Sequence, residues 1–91
     1  MTNKQDIEAH RNSNSYRFMR WLIEDQQGEA YVCDCLKEIE RAGYQPDGRW
    51  GSDSWLLNLA EMFAVEIRGR KVYPSATGMK HVMRAYPELL G

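Results

Sequence analysis

Two cysteines and two histidines are all that 91 residues offer for thiol chemistry or soft metal binding. Cys33 and Cys35 stand two apart, too close to staple distant elements. On a helix their sulfurs would point about 200° away from each other. A tetrahedral zinc site needs four ligands, and His10 and His81 are remote in sequence. No metal is therefore expected, and the thiols read as small buried or half-buried side chains. No apolar run approaches ~20 residues, which excludes a membrane-spanning helix. No phosphate-cradling loop is present, because Gly48 and Gly51 belong to a turn that no Gly-Lys-Ser or Gly-Lys-Thr follows. Neither histidine has a sequence-local Ser, Cys or carboxylate in a relay pattern. The acidic pairs Asp34 with Glu38 and Glu24 with Asp25 read as solvated helix faces. Neither catalysis nor a cofactor is expected. The first residues, MTNKQDIEAH, lack the basic-then-apolar order of a secretory signal, and the sparse thiols suit a reducing compartment. A cytoplasmic protein is the expectation.

The most informative shortage is of acid. Between Ile67 and Pro87 there are five Lys or Arg residues, Arg68, Arg70, Lys71, Lys80 and Arg84, and no Asp or Glu. Residues 1–66 carry seven basic and twelve acidic side chains, a balance of −5, against a net charge of −1 for the chain. A protein that coats nucleic acid without specificity has a basic excess throughout, so any nucleic-acid contact here is local. Single-sign clustering of this kind exceeds what solubility requires. The composition, 43 % hydrophobic with three Trp and five Tyr, is that of one folded domain.

Residues 1–14 are polar and predict a flexible start, leaving 15–91 as a single domain. Ser13 or Ser15 caps a helix carrying Tyr16, Phe18, Met19, Trp21, Leu22 and Ile23, which ends at Gln26-Gln27-Gly28. A second helix over Glu29–Ala42 buries Val32, Leu36 and Ile39, turns Asp34, Lys37, Glu38 and Arg41 to water, and stops at Gly43. A polar loop with a tight turn at Pro46-Asp47-Gly48 follows. In it Trp50 either lids the core or anchors a partner, and Tyr44 shares either role. A third helix, capped by Ser52 or Asp53, buries a broad stripe of Trp55, Leu56, Leu59, Ala60 and Phe63, widened by Leu57 and Met62. Its polar face is Ser54, Asn58 and Glu61. Ala64–Ile67 and Lys71–Tyr73 suit strands joined at Arg68-Gly69-Arg70, in preference to a helix end capped by Gly69. The last helix, capped by Ser75, buries Met79, Val82, Met83 and Tyr86 and shows Thr77, Lys80, His81 and Arg84 outward. The fold class is mainly α (α+β): a compact four-helix domain with one short β-hairpin.

The segment Val65-Glu66-Ile67-Arg68-Gly69-Arg70-Lys71-Val72-Tyr73-Pro74-Ser75-Ala76-Thr77-Gly78 resembles the wing of winged helix-turn-helix domains. A hydrophobic strand turns through a charged Gly-Arg-Lys tip and returns through an aromatic and Pro segment into a Gly-containing helix start. The resemblance covers these fourteen residues; elsewhere only helix order matches. It implies that the helix near Ser52–Met62 corresponds to the recognition helix, that Glu29–Ala42 is its scaffold partner, and that Arg68, Arg70 and Lys71 sit on the wing. The loop over 43–51 is longer than the family's turn between those helices, and the presumed reading face has no Arg or Lys.

Two functions are expected from these residues. The first is a non-enzymatic module binding double-stranded DNA, with a homodimer compatible with that use. Arg68, Arg70, Lys71, Lys80 and Arg84 neutralise phosphates, Tyr73 stacks or bonds beside them, and Ser54 and Asn58 face the groove. The second is a protein-interaction module or inhibitor, such as a phage or plasmid host-takeover factor, that meets an acidic protein through the basic patch and Trp50.

Overall fold

Ser13, just before the first apolar run, accepts from the Tyr16 N–H at 3.3 Å and opens helix α1, Asn14–Arg20. A computed structural model describes residues 13–45 and 51–90. Helix α1 begins inside the segment expected to be flexible, and Asn14 is tied by its side-chain N–H to the Tyr44 carbonyl at 2.9 Å. The remaining residues of that segment, 1–12, and Trp50 lie outside the described residues. The helix continues as a π-helical turn, Trp21–Asp25, and ends with Gln27 and Gly28 both at positive φ, 57° and 91°. Phe18, Met19 and Leu22 are buried.

The second helix is shorter than its periodicity suggests. Helix α2 runs Val32–Ala42, and Ala30–Tyr31 instead forms strand β1. The Val32 N–H, an orphan donor at the helix start, is satisfied by the Arg70 carbonyl at 2.7 Å, so the hairpin captures what would have been the first helical turn. Gly43, at φ 68°, caps the far end. Glu38, expected at the surface, is 7 % exposed. Arg41 grips it with two bonds of 2.8 Å, and the Tyr44 hydroxyl donates to it at 3.1 Å. Tyr44 is buried and stacks on Trp55 at 5.7 Å, so it closes the core instead of anchoring a partner.

Helix α3, Ser52–Glu61, has Gly51 as its N-cap. Neither expected residue caps it: Ser52 donates to Glu40 at 3.0 Å, and Asp53 accepts only from the adjacent Ser54 N–H at 2.8 Å. Trp55, Leu56 and Leu59 reach the core. Strands β2, Val65–Arg68, and β3, Lys71–Pro74, form the hairpin. Its two-residue turn has Gly69 at φ 61°, the sign a tight hairpin turn requires at its first central position. The sheet order is β1-β3-β2, all antiparallel. Ser75 then caps helix α4, Ala76–Ala85, by accepting the Gly78 N–H at 2.8 Å. A 3-10 turn, Pro87–Leu90, follows, with Leu89 packed against the core.

The fold is thus mainly α in an α+β arrangement, four helices with a small three-stranded antiparallel sheet. Among the described residues no helix is long and apolar enough to cross a membrane.

Candidate partner-binding face

Helix α3 carries more apolar side chains than one core face can hold. Leu57 is 55 % exposed, Met62 58 % and Phe63 73 %, although all three were expected in the buried stripe. Leu57 lies mid-helix on the side away from Leu56 and Leu59; for Phe63 the cause is the helix end. The Ala64 N–H donates to Leu59 (2.9 Å) and the Phe63 N–H to Ala60 (3.1 Å), the paired bonds of a Schellman C-cap. Phe63 is its left-handed residue, at φ 61°, a position that glycine ordinarily fills. The left-handed turn leads through Ala64 into strand β2 and swings the Phe63 ring out of the stripe. The Phe63 carbonyl is held in turn by the Ser75 hydroxyl.

Phe63, Leu57 and Ala60 line an open groove beside β2, together with Ile67, Ala76 and Thr77. On the same helix Asp53, Ser54 and Glu61 are exposed, and the Asn58 side-chain N–H donates to the Met62 sulfur at 3.3 Å. Of the residues expected to read a groove, Ser54 is therefore open to solvent and Asn58 is half-buried and engaged.

The hairpin brings Arg68, Lys71 and Tyr73 together, with Arg68 directly across from Lys71. Their charges are already answered. Arg68 donates to Glu66 at 2.5 Å and lies over the Tyr73 ring at 4.9 Å. Lys71 meets Glu29 at 3.4 Å and the Tyr31 ring at 5.4 Å. The hydrogen bond to Glu66 pushes the Arg68 pKa up, and the charge of Glu29 raises that of Lys71, so both stay cationic. Arg70, at the tip, is exposed and makes no ion pair among the described residues; nor does Lys80, exposed on α4. Arg84 is exposed and its charge acts on Tyr16 of α1, where burial nonetheless raises the phenol pKa. Among the described residues no hydrogen bond, ion pair or ring contact joins Lys80 or Arg84 to the hairpin cations.

Cys35 is buried, but Cys33 is exposed, against the expectation that both thiols are buried or half-buried; two positions apart on α2, they face opposite sides of the helix and only one side meets the core. Among the described residues no three His, Cys, Asp or Glu side chains converge as a metal site would need.

Sequence reasoning missed the Leu57, Met62 and Phe63 face. The available signal was a surplus: seven apolar residues among Trp55–Phe63 with no glycine to end the helix. Comparison with protein-family models, with curated proteins and with solved structures finds no match to this chain.

Proposed function

We propose that this domain is a non-enzymatic docking module that binds another protein through the outward side of α3 and the adjoining edge of the hairpin. Phe63 carries the reading. A left-handed backbone costs an ordinary L-residue about 1 kcal/mol relative to glycine, and here the ring recovers little of it by burial. A large apolar side chain held at such a position and left exposed fits a functional constraint better than a folding one. Leu57 and Met62 beside it supply the apolar contact that anchors in protein interfaces provide. Asp53 and Glu61 on the same helix would repel phosphates, which places a protein partner ahead of DNA. The order α2, α3, hairpin is the one a winged-helix reading requires, and that family remains our proposal for the fold.

The test is a photo-crosslinking amino acid placed at position 57 or 63, and at position 37 on α2 as control, in cells that produce the chain. Discrete crosslinked products at 57 and 63 and none at 37 are expected. Equal labelling at all three positions, or none at any, would retire the docking face.

The unpaired Arg70 and Lys80 favour a second reading, in which the hairpin and α4 bind double-stranded DNA. Anisotropy of labelled duplex at ~50 mM and ~200 mM salt tests it. Salt-sensitive binding that disappears in Arg70→Glu/Lys71→Glu is expected, and no binding at the lower salt would remove it.

A further inference from the structure

Strand β2 is the open side of the sheet. Ala64 lies opposite Ser75, and the Ser75 N–H donates to the Ala64 carbonyl at 3.0 Å, which fixes the alternation of the ladder. Glu66 with Tyr73 and Arg68 with Lys71 therefore exchange bonds, while the N–H and C=O groups of Val65 and Ile67 point away from β3. No backbone bond joins those outward groups to another element among the described residues. The other edge, β1, is two residues long and runs directly into α2. Proteins that leave an edge free commonly blunt it by keeping it short, with charged side chains, lysine above all, with proline or with a bulge. β2 is four residues long and has no lysine or proline. It has Glu66 and Arg68, opposite charges flanking Ile67 on one face.

We propose that β2 pairs antiparallel with β2 of a second copy of the chain, about a two-fold axis through Ile67. The inference rests on the docking face proposed above and names its occupant. Charge selects the register. Centring on Ile67 sets Glu66 opposite the second copy's Arg68, and Arg68 opposite its Glu66, so the Glu66–Arg68 pair within each strand extends into two cross-strand pairs. Shifting the centre by one residue sets Glu66 against Glu66 or Arg68 against Arg68, which is repulsive. The Ile67 centre also brings the outward N–H and C=O of the two Ile67 residues into mutual hydrogen bonds, giving a six-stranded sheet. The groove lined by Leu57, Ala60 and Phe63 runs beside the same edge, so an isologous contact brings the two grooves together and covers these side chains.

Sedimentation equilibrium from micromolar to millimolar protein, in reductant so that the exposed Cys33 forms no disulfide, tests the pairing. The wild-type chain should dimerise reversibly. Glu66→Arg and Arg68→Glu, each of which sets like charges across the axis, should weaken the dimer at least about tenfold. The double variant Glu66→Arg/Arg68→Glu restores complementarity and should recover most of the affinity. Ile67→Pro removes an outward N–H without touching a β3 bond and should abolish the dimer with helical circular dichroism retained. A wild-type chain that stays monomeric at millimolar concentration overturns the proposal. So does a dimer that survives Ile67→Pro, or single-variant losses that the double variant does not rescue. A monomer whose position 63 crosslinks to a different protein would sink self-pairing and leave the docking face standing.

Discussion

Gly78 lies so close to the Ala64 carbonyl that a Cβ built on it would stand 2.0 Å from the oxygen. That carbonyl also accepts the Ser75 N–H, so it cannot retreat without breaking the end of the hairpin ladder. This contact sets α4 directly against the turn that joins α3 to β2. Gly78→Ala should therefore destabilise the fold by on the order of 3 kcal/mol, although alanine is the better helix former. Thermal unfolding checks it, with a midpoint lowered by roughly 10 °C or more. An unchanged midpoint would mean that α4 can slide away from Ala64.

Ser75 serves both sides of the same junction, accepting the Gly78 N–H and donating to the Phe63 carbonyl. Its alanine variant loses a helix cap and strands a carbonyl, at a cost of about 2 kcal/mol. Asp at this position keeps the acceptor but, when ionised, cannot donate. Urea unfolding should rank wild type above Ser75→Asp and Ser75→Asp above Ser75→Ala.

Phe63→Gly should act in the opposite sense. Glycine relieves the left-handed backbone, and the ring it removes is mostly in water, so stability should rise by about 1 kcal/mol. Under the proposed function the same variant loses partner binding. A rise in the urea midpoint with loss of crosslinking at position 57 would join the two. A fall in stability would show that the ring packs in solution.

The thiols should separate kinetically. Cys33 is open to solvent, whereas burial, with help from Asp34 and Cys33, pushes the Cys35 thiol up to about 12. At mildly alkaline pH one equivalent of a thiol reagent should react with the native chain and the second only as fast as the fold opens. Mass spectrometry of the singly labelled species should find the label on Cys33.

Alkaline sensitivity follows from Tyr44 and Cys35. Burial and the Glu38 carboxylate push the Tyr44 phenol from 10.0 up to about 12, and Cys35 moves from 9.0 to about 12. Both groups are neutral when protonated, so between those values the folded chain binds more protons than the unfolded one. Stability is full below the lower values and falls as pH rises toward 12. Tyr44→Phe should cost about 1 kcal/mol near neutrality, through the lost bond to Glu38, and should flatten the decline above pH 10. Urea midpoints across this range measure it, and an equal slope in both proteins would contradict the assignment.

Much of this architecture is written in local signals. Ser13 and Ser75 precede apolar periodicity, and each caps the helix after it. Gly43 stops α2, and Gly69 turns the hairpin between two β-branched runs. These features depend on backbone conformation and on neighbours within a few residues, so one chain position reveals them. The basic stretch was equally legible as a stretch. Whether its charges were free was not, because Glu29 lies 42 residues from Lys71.

Tertiary structure decided the rest. Glu29–Tyr31 has helical periodicity, yet the exposed edge of β3 draws Ala30 and Tyr31 into a strand, and the Val32 N–H takes the Arg70 carbonyl. Glu38 reads as a solvated residue, but Tyr44, six residues on, folds over it and Arg41 closes the site. Phe63 reads as core until the Schellman cap ends α3 at Glu61 and turns it outward. The sequence by itself determined the caps at Ser13 and Ser75, the stop at Gly43 and the hairpin turn at Gly69, since those choices are made by short-range bonds and glycine conformations. Only the packed chain decided which apolar residues are left over, because the core fills once and position along a helix does not say which side will find it already full.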